Sequence, residues 1–90
     1  MNKKNQTLKE KFALAFENYK KKDYKSAEFI CNQILTIDEN HFDSIFLLST
    51  LSAIQGNFEK TKKFLKKAIE IEPKNFSAYN NLGNAEKYLG

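Results

Sequence analysis

The sequence predicts an all-α fold, a right-handed α-solenoid of antiparallel helix pairs with five helices in about 2.5 repeat units. The chain is similar to itself at an offset of 34 residues, and segment 23–38 aligns with segment 57–72 without a gap. Its apolar residues recur with helical spacing instead of alternating as in a strand, and the connections are short. A fixed period of this length is typical of repeats that cover their apolar faces by stacking on their neighbours. The positions that repeat include Leu14, Leu48 and Leu82; Tyr24 and Phe58; Ile37 and Ile71; and Phe42 and Phe76.

The composition favours one domain and argues against specific binding of nucleic acid. The chain has 90 residues, of which 41% are hydrophobic, and this length suits a single modest core. The net charge is +4, but all 15 basic residues are lysines. Arginine provides the planar group that reads guanine and clamps phosphate with two hydrogen bonds. A sequence without arginine therefore predicts no specific nucleic-acid partner.

Cysteine usage and hydropathy predict a cytoplasmic protein. Cys31 has no second cysteine with which to form an internal disulfide, and its place on an apolar helical face predicts a buried thiol in a reducing compartment. Asn2, Lys3 and Lys4 are followed by polar residues, so the apolar core of a signal peptide is missing. The most apolar segment, 44–54, is too short to span a bilayer. No membrane span is expected.

The first two helices are predicted from their N-terminal caps. Thr7 and Glu10 have the spacing of a capping box, and the helix that follows is expected to end at the basic run 20–22. Asp23 is the predicted cap of a second helix that ends at Ile37.

The later helices are separated by residues that stop one helix and start the next. Gly56 is expected to end the third helix, and Asn57 to cap the fourth. Pro73 prevents the fourth helix from continuing. The small residues Ala15 and Gly83 lie two repeat periods apart, where close approach of helix backbones is expected. The expected bounds of these helices are 42–55, 58–71 and 76–89.

Many positions share one pattern at the repeat period. In the second unit these are Leu48, Ser49, Gly56, Asn57, Phe58, Thr61, Phe64, Leu65, Ala68, Ile69, Glu72 and Pro73; in the first unit Asp23, Tyr24, Ala27, Cys31, Ile34 and Leu35; in the third unit Tyr79, Asn80, Asn81, Leu82 and Gly83. This pattern resembles the tetratricopeptide repeat over about residues 8–90. Lys11 and Asn18 stand where that family usually has large aromatic residues, and Glu39 stands where Pro73 does later. A degenerate first unit is typical of a terminal repeat.

The domain organisation follows from this alignment. The expected segments are a flexible N-terminus at 1–7 and a single repeat domain at 8–90, with repeat 1 at 8–41, repeat 2 at 42–75 and a partial repeat 3 at 76–90.

The resemblance implies a concave groove, formed mainly by the first helix of each pair, that binds a protein or peptide ligand. The residues expected to line this groove are Phe12, Phe16, Tyr19, Phe46, Leu47, Thr50, Asn80, Asn81 and Asn84. Phe12 and Phe16 lie four residues apart and share a helix face, so they could serve as peptide anchors. The alternative is that these two rings pack in the core.

Two kinds of groove known in the family can be compared with these residues. Some members bind acidic C-termini with a two-carboxylate clamp, but Phe12 and Phe46 stand where its cations would be expected, so the clamp is predicted to be absent. The three asparagines of the third unit are similar to the amide-lined inner surface of the repeats of some glycosyltransferases, which hold a peptide backbone through side-chain amides. Ala13 and Leu47 occupy the matching places earlier in the chain.

Catalysis, metal binding and cofactor binding are not expected. The sequence has one His, one Cys, no glycine-rich phosphate loop and no metal-ligand spacing, so no enzyme and no cofactor are predicted. His41 falls in a turn, where a capping role is commoner than a chemical one. A lysine cluster on the fourth helix is interpreted as a solvated face. It contains Lys60, Lys62, Lys63, Lys66 and Lys67.

Three functions therefore remain open. The first is an adaptor that binds a peptide or partner helix in the groove. The second is the substrate-recruiting N-terminal arm of a larger bacterial enzyme, such as a glycosyltransferase or sulfotransferase, which the incomplete third repeat suggests. The third is self-assembly into a homo-oligomer through Tyr79 and Leu82 of the last helix.

Overall fold

The computed structural model describes residues 3–90, and this part of the chain contains five α-helices and no strand. The helices are α1 (Lys3–Lys20), α2 (Tyr24–Ile37), α3 (Phe42–Ile54), α4 (Phe58–Ile71) and α5 (Phe76–Leu89). The predicted all-α fold is confirmed. The predicted bounds of α2, α4 and α5 agree with the structure, and α3 ends one residue earlier than expected.

The start of α1 differs from the prediction. The helix begins at Lys3, so Thr7 lies inside it and does not act as a cap. The preceding residues are polar but compatible with a helix, and Gln6 Nε2 donates to Glu10 Oε1 one turn later at 3.3 Å. The flexibility expected of residues 1–7 stays a prediction, and Asn2, part of the expected positive start, lies outside the described residues.

Contacts between residues group the chain into two compact units, 1–44 and 45–90. In the first unit, α1 packs against α2, and the side chains that share the core are apolar or small. They are Leu8 and Ala15 of α1 and Ala27, Ile30, Cys31 and Ile34 of α2. The repeat boundaries and the single domain predicted from the sequence stay predictions.

In the second compact unit, residues 45–54 of α3 lie together with α4 and α5. The core combines apolar side chains with hydroxyls: Ser52 Oγ lies 2.8 Å from Thr61 Oγ1, and Ser52 Oγ also donates to the carbonyl of Ser49 at 2.9 Å. Hydroxyls can be buried here because each has a hydrogen-bond partner. Across residues 3–90, every buried side-chain nitrogen or oxygen has such a partner. The apolar members of this core include Ile45, Leu48, Leu51, Leu65, Ala68, Ala78 and Ala85.

Short polar side chains fix the starts of the helices. Asp23 accepts from the N–H of Ser26 at 3.2 Å, and Asn57, one repeat period later, accepts from that of Lys60 at 3.2 Å. The two predicted caps are therefore confirmed. His41 precedes α3 in the same way, and its Nδ1 accepts from the N–H of Ser44 at 3.3 Å.

The ends of α1 and α3 share one geometry. The N–H of Lys22 donates to the carbonyl of Tyr19, and that of Asp23 donates to the carbonyl of Asn18, both at 2.9 Å. At the end of α3, the N–H of Gly56 donates to the carbonyl of Ala53 at 3.0 Å, and the N–H of Asn57 donates to the carbonyl of Ser52 at 2.9 Å. Lys22 (φ 66°) and Gly56 (φ 77°) both adopt the left-handed conformation that closes such a turn. Only glycine adopts this conformation without steric cost.

Replacing Lys22 by glycine is therefore expected to raise the free energy of unfolding by about 1 kcal/mol, because glycine adopts the left-handed conformation without the steric strain that the lysine Cβ causes. The converse change, Gly56→Ala at the equivalent position of α3, is expected to lower it by about 1 kcal/mol. Urea denaturation followed by circular dichroism measures both. A destabilised Lys22→Gly variant would show that the lysine side chain contributes more through its contacts than it costs in strain.

The close approach of helix backbones predicted at the small residues is contradicted at Gly83 and stays a prediction at Ala15. Ala15 is fully buried, but a Cβ added to Gly83 would meet no atom within 4 Å. Gly83 therefore does not lie at a close approach within the described residues, because no element packs directly against that side of α5.

No helix among residues 3–90 combines the length and the apolar character needed to cross a bilayer. In the same part of the chain, no group of three or more His, Cys, Asp or Glu residues is placed to hold a metal ion.

Candidate functional site

A recess of about 230 Å³ within residues 45–90 is the candidate site. Side chains of α3, α4 and α5 enclose it, and none of them carries a charge. They are Ser49, Thr50 and Ala53 of α3, Phe58, Thr61 and Leu65 of α4, and Asn81, Asn84, Ala85 and Tyr88 of α5. The recess is therefore uncharged, and its lining combines apolar side chains with hydroxyl and amide groups.

Helical spacing explains why these residues meet. Asn81, Asn84 and Tyr88 follow the i, i+3, i+7 pattern, so they lie along one face of α5. The same spacing relates the three α4 residues of the recess. The start of α5 is fixed by Asn75, whose side chain accepts from the N–H of Ala78 at 3.0 Å. The cap sets where α5 begins, and the spacing then places the three side chains along the recess.

Two aromatic rings form one wall of the recess. Phe58 and Tyr88 stack with their ring centroids 4.4 Å apart and their planes 7° from parallel. Tyr88 is nevertheless 73% exposed, while Phe58 is half-buried. A stacked pair of this kind gives a ligand a rigid apolar surface at low entropic cost.

The two asparagines of the recess have unused hydrogen-bonding capacity. The hydroxyl of Thr50 already donates to the carbonyl of Phe46 at 3.3 Å, and that of Thr61 donates to the carbonyl of Asn57 at 3.0 Å. The side-chain amides of Asn81 and Asn84, in contrast, make no hydrogen bond with any residue in the range 3–90. Each amide offers two donors and an acceptor. These groups are therefore available to a ligand.

Within residues 45–90, the structure brings together three of the predicted groove residues and separates the others. Thr50, Asn81 and Asn84 line the recess, whereas Asn80 is exposed elsewhere on α5 and Phe46 is half-buried outside the recess.

Leu47 requires a correction. This side chain is only 7% exposed, so it belongs to the core and cannot line an accessible groove. The physical reason is that α3 is apolar around most of its circumference, so a position that would face solvent on an amphipathic helix is covered here.

The aromatic residues predicted in the first unit form a row. Successive centroids lie 6.3 Å apart for Phe12 and Phe16, and 5.7 Å apart for Phe16 and Tyr19. The row continues from Tyr19 to Tyr24 at 6.1 Å, and His41 lies 5.8 Å from Phe12 at its other end. Phe12 and Tyr19 are half-buried and Phe16 is exposed. The row therefore combines packing with an accessible surface, and its role in ligand binding stays a prediction.

The groove residues predicted from the sequence do not include Phe58 and Tyr88, which line the recess in the structure. Tyr88 continues the spacing of Asn81 and Asn84, and this signal could have identified it. Phe58 offered no such signal, because its position beside Tyr88 depends on how α4 packs against α5.

The thiol of Cys31 is placed for packing. The pKa of Cys31 is raised to about 11, chiefly because the thiol is buried; a hydrogen bond with Ser44 opposes the rise, and the nearby Glu28 carboxylate adds to it. At neutral pH the thiol is therefore protonated and is a weak nucleophile. The predicted burial of Cys31 is confirmed, whereas the cytoplasmic location stays a prediction.

The side chains of the α4 lysine cluster and of Tyr79 and Leu82 are at least partly exposed. On α4, Lys63 and Lys66 are exposed, and Lys60 Nζ lies 6.0 Å from the ring centroid of Phe64. On α5, Tyr79 is 48% exposed and Leu82 is half-buried. The homo-oligomer through these two residues stays a prediction, which sedimentation at increasing concentration would test.

Comparison with known proteins identifies the repeat and several relatives. Two tetratricopeptide repeat family models match residues 42–75 and 64–90. A UDP-N-acetylglucosamine–peptide N-acetylglucosaminyltransferase of Caenorhabditis elegans is 33% identical over 85 residues, which are 94% of this chain and 7% of that protein. This chain thus spans a small part of that relative.

Two solved structures have the same fold. A mutant O-GlcNAc transferase of Thermobaculum terrenum matches with a TM-score of 0.88 and 26% identity, over 94% of this chain and 16% of that chain. The first TPR of Spaghetti (RPAP3), bound to the HSP90 peptide SRMEEVD, matches with a TM-score of 0.83 and 23% identity, over 88% of this chain and 63% of that chain. The second likeness shows the fold alone. Because the two family models together cover 42–90, more than half of the chain, and the helices match these repeat structures, the chain belongs to the tetratricopeptide repeat family.

Proposed function

We propose that this chain is a protein-interaction module whose second unit binds an extended polypeptide segment in the recess between α3, α4 and α5. The observation that carries the proposal is the convergence of two unpaired asparagine amides and a stacked aromatic wall on one uncharged recess. The tetratricopeptide repeat supports a scaffold function of this kind.

The asparagines suit a peptide backbone. An extended segment presents N–H and C=O groups that must find partners when water is removed. Asn81 and Asn84 each supply both donors and an acceptor, so they can pair with main-chain groups whatever side chains the segment carries. Shape and charge of the recess then decide which side chain is accepted.

The proposal predicts that the Asn81→Ala/Asn84→Ala double variant weakens peptide binding about 5- to 150-fold, since the loss of one hydrogen bond per amide costs about 0.5–1.5 kcal/mol each. Uniformly ¹⁵N-labelled protein is first titrated with a library of acetylated and amidated peptides. The best binder is then titrated into the variants by fluorescence polarisation.

Asn80→Ala is the matched control, because Asn80 lies on the same helix but outside the recess. Its affinity for the same peptide is expected to stay within twofold of the unsubstituted chain. Amide shifts confined to residues away from the recess, or no shifts with any peptide, would refute the proposed site.

A second candidate function is favoured by the relatives. The C. elegans and T. terrenum proteins are glycosyltransferases, and this chain aligns with part of each. We propose as the alternative that the module recruits protein substrates to a catalytic domain of a larger glycosyltransferase. Sequencing the reading frame beyond codon 90 tests this: a transferase domain in the same frame supports it, and a stop codon there removes it.

A further inference from the structure

A second depression adjoins the recess and differs from it in charge. Its volume is about 510 Å³, and its lining side chains are Asn84, Lys87 and Tyr88. Asn84 and Tyr88 also line the neutral recess, so the two sites share a border. A peptide that occupies one site can therefore extend into the other.

We propose that the bound segment contains an uncharged apolar residue directly beside an acidic residue, with the apolar side chain in the recess and the carboxylate at Lys87. This inference rests on the proposed function and names the ligand class of the same site. The proposed ligand is a peptide in which the acidic residue lies directly before or directly after the apolar residue.

The apolar half of the motif follows from the lining of the recess. No lining residue could neutralise a charged side chain, and removing a charge from water without a partner is strongly unfavourable. The volume of about 230 Å³ is also smaller than that of typical small-molecule sites, which measure about 300–1,000 Å³. The recess therefore suits one aliphatic side chain better than a cofactor.

The acidic half follows from Lys87. This side chain is exposed, and its ammonium group forms no ion pair with a carboxylate in residues 3–90. Residues 45–90 also carry an excess of positive charge, with seven lysines and four acidic residues, which favours an acidic ligand over a basic one. A carboxylate next to the anchor residue would lie beside the Lys87 ammonium group.

The test uses fluorescein-labelled, amidated peptides in a Ser/Gly background that contain Leu–Asp or Asp–Leu at the centre. Matched peptides replace Asp by Asn, Asp by Lys, or Leu by Lys. Fluorescence polarisation at 20 mM salt is expected to show about threefold tighter binding of the better Asp peptide than of its Asn partner. The difference should shrink at 300 mM salt, because exposed charges are screened. Lys in place of Leu is expected to abolish binding.

Charge reversal provides the decisive variant. Lys87→Glu is expected to reverse the order, so that the peptide with Lys in place of Asp binds more tightly than the Asp peptide, and Lys87→Gln is expected to remove the preference. Lys74→Glu, a reversal at an exposed lysine outside both sites, should leave the original order unchanged. Circular dichroism melting confirms that each variant is folded.

The outcomes separate this inference from the proposed function. Equal affinities for Asp and Asn peptides, or an order that Lys87→Glu leaves unchanged, would overturn the inference, while amide shifts at Asn81 and Asn84 would still support peptide binding. Absence of binding by every peptide together with absence of those shifts would overturn both.

Discussion

Replacing Ile34 by alanine is expected to lower the free energy of unfolding by about 2–5 kcal/mol. Ile34 is fully buried in the first unit, among the apolar residues of α1 and α2. Truncation removes buried apolar atoms and leaves a cavity that closely packed neighbours fill only in part. A domain of this size is stable by only about 5–15 kcal/mol, so a large part of its stability would be lost. Urea denaturation of the full chain measures the change.

Phe29→Ala is the matched control on the same helix. Phe29 is 64% exposed, so the loss of its larger side chain is expected to change the free energy of unfolding by only about 0.5 kcal/mol. Similar losses in the two variants would show that α2 does not pack through the face that contains Ile34.

Replacing Ala15 by leucine is expected to destabilise the chain by about 1–3 kcal/mol. Ala15 is fully buried where α1 packs in the first unit, so three additional carbon atoms can be accommodated only if neighbouring side chains or the backbone shift. Thermal unfolding followed by circular dichroism measures the effect as a lower Tm.

Gly83→Ala tests the same repeat position two repeats later. This substitution is expected to raise the Tm, whereas Ala15→Leu lowers it. The added Cβ meets no atom within 4 Å, and alanine in the interior of α5 is favoured over glycine by about 0.5–1 kcal/mol. A raised Tm for Gly83→Ala and a lowered one for Ala15→Leu would show that equivalent repeat positions differ in packing. A lowered Tm for Gly83→Ala would mean that another chain or segment packs against this side of α5.

Helix ends were predictable where a side chain acts on its own neighbours. Asp23 and Asn57 hydrogen-bond N–H groups three residues later, so local sequence determines these caps. Thr7 has the same local pattern, but the residues before it are also compatible with a helix and α1 continues through them. A capping motif predicts a helix start only when the preceding residues cannot extend the helix.

The candidate site was predictable only to the extent that it depends on single helices. The family resemblance assigned Asn80, Asn81 and Asn84 to the groove, and the structure places only Asn81 and Asn84 at the recess because these two share one face of α5. Leu47 was assigned to the groove through the family resemblance, although α3 is apolar around most of its circumference and such a helix buries positions that would otherwise face solvent. The stack of Phe58 on Tyr88 joins two helices and is a tertiary contact. Repeat periodicity determines which residues share a helix face but leaves their partners undetermined.

The stacked tyrosine also makes this protein convenient to observe. The chain contains no tryptophan and four tyrosines, so tyrosine dominates its intrinsic fluorescence. Tyr88 is largely exposed to water at the recess, and a bound peptide that covers its ring would alter its emission. Occupancy could then be followed optically on unlabelled material, with Tyr88→Phe as the silent reference.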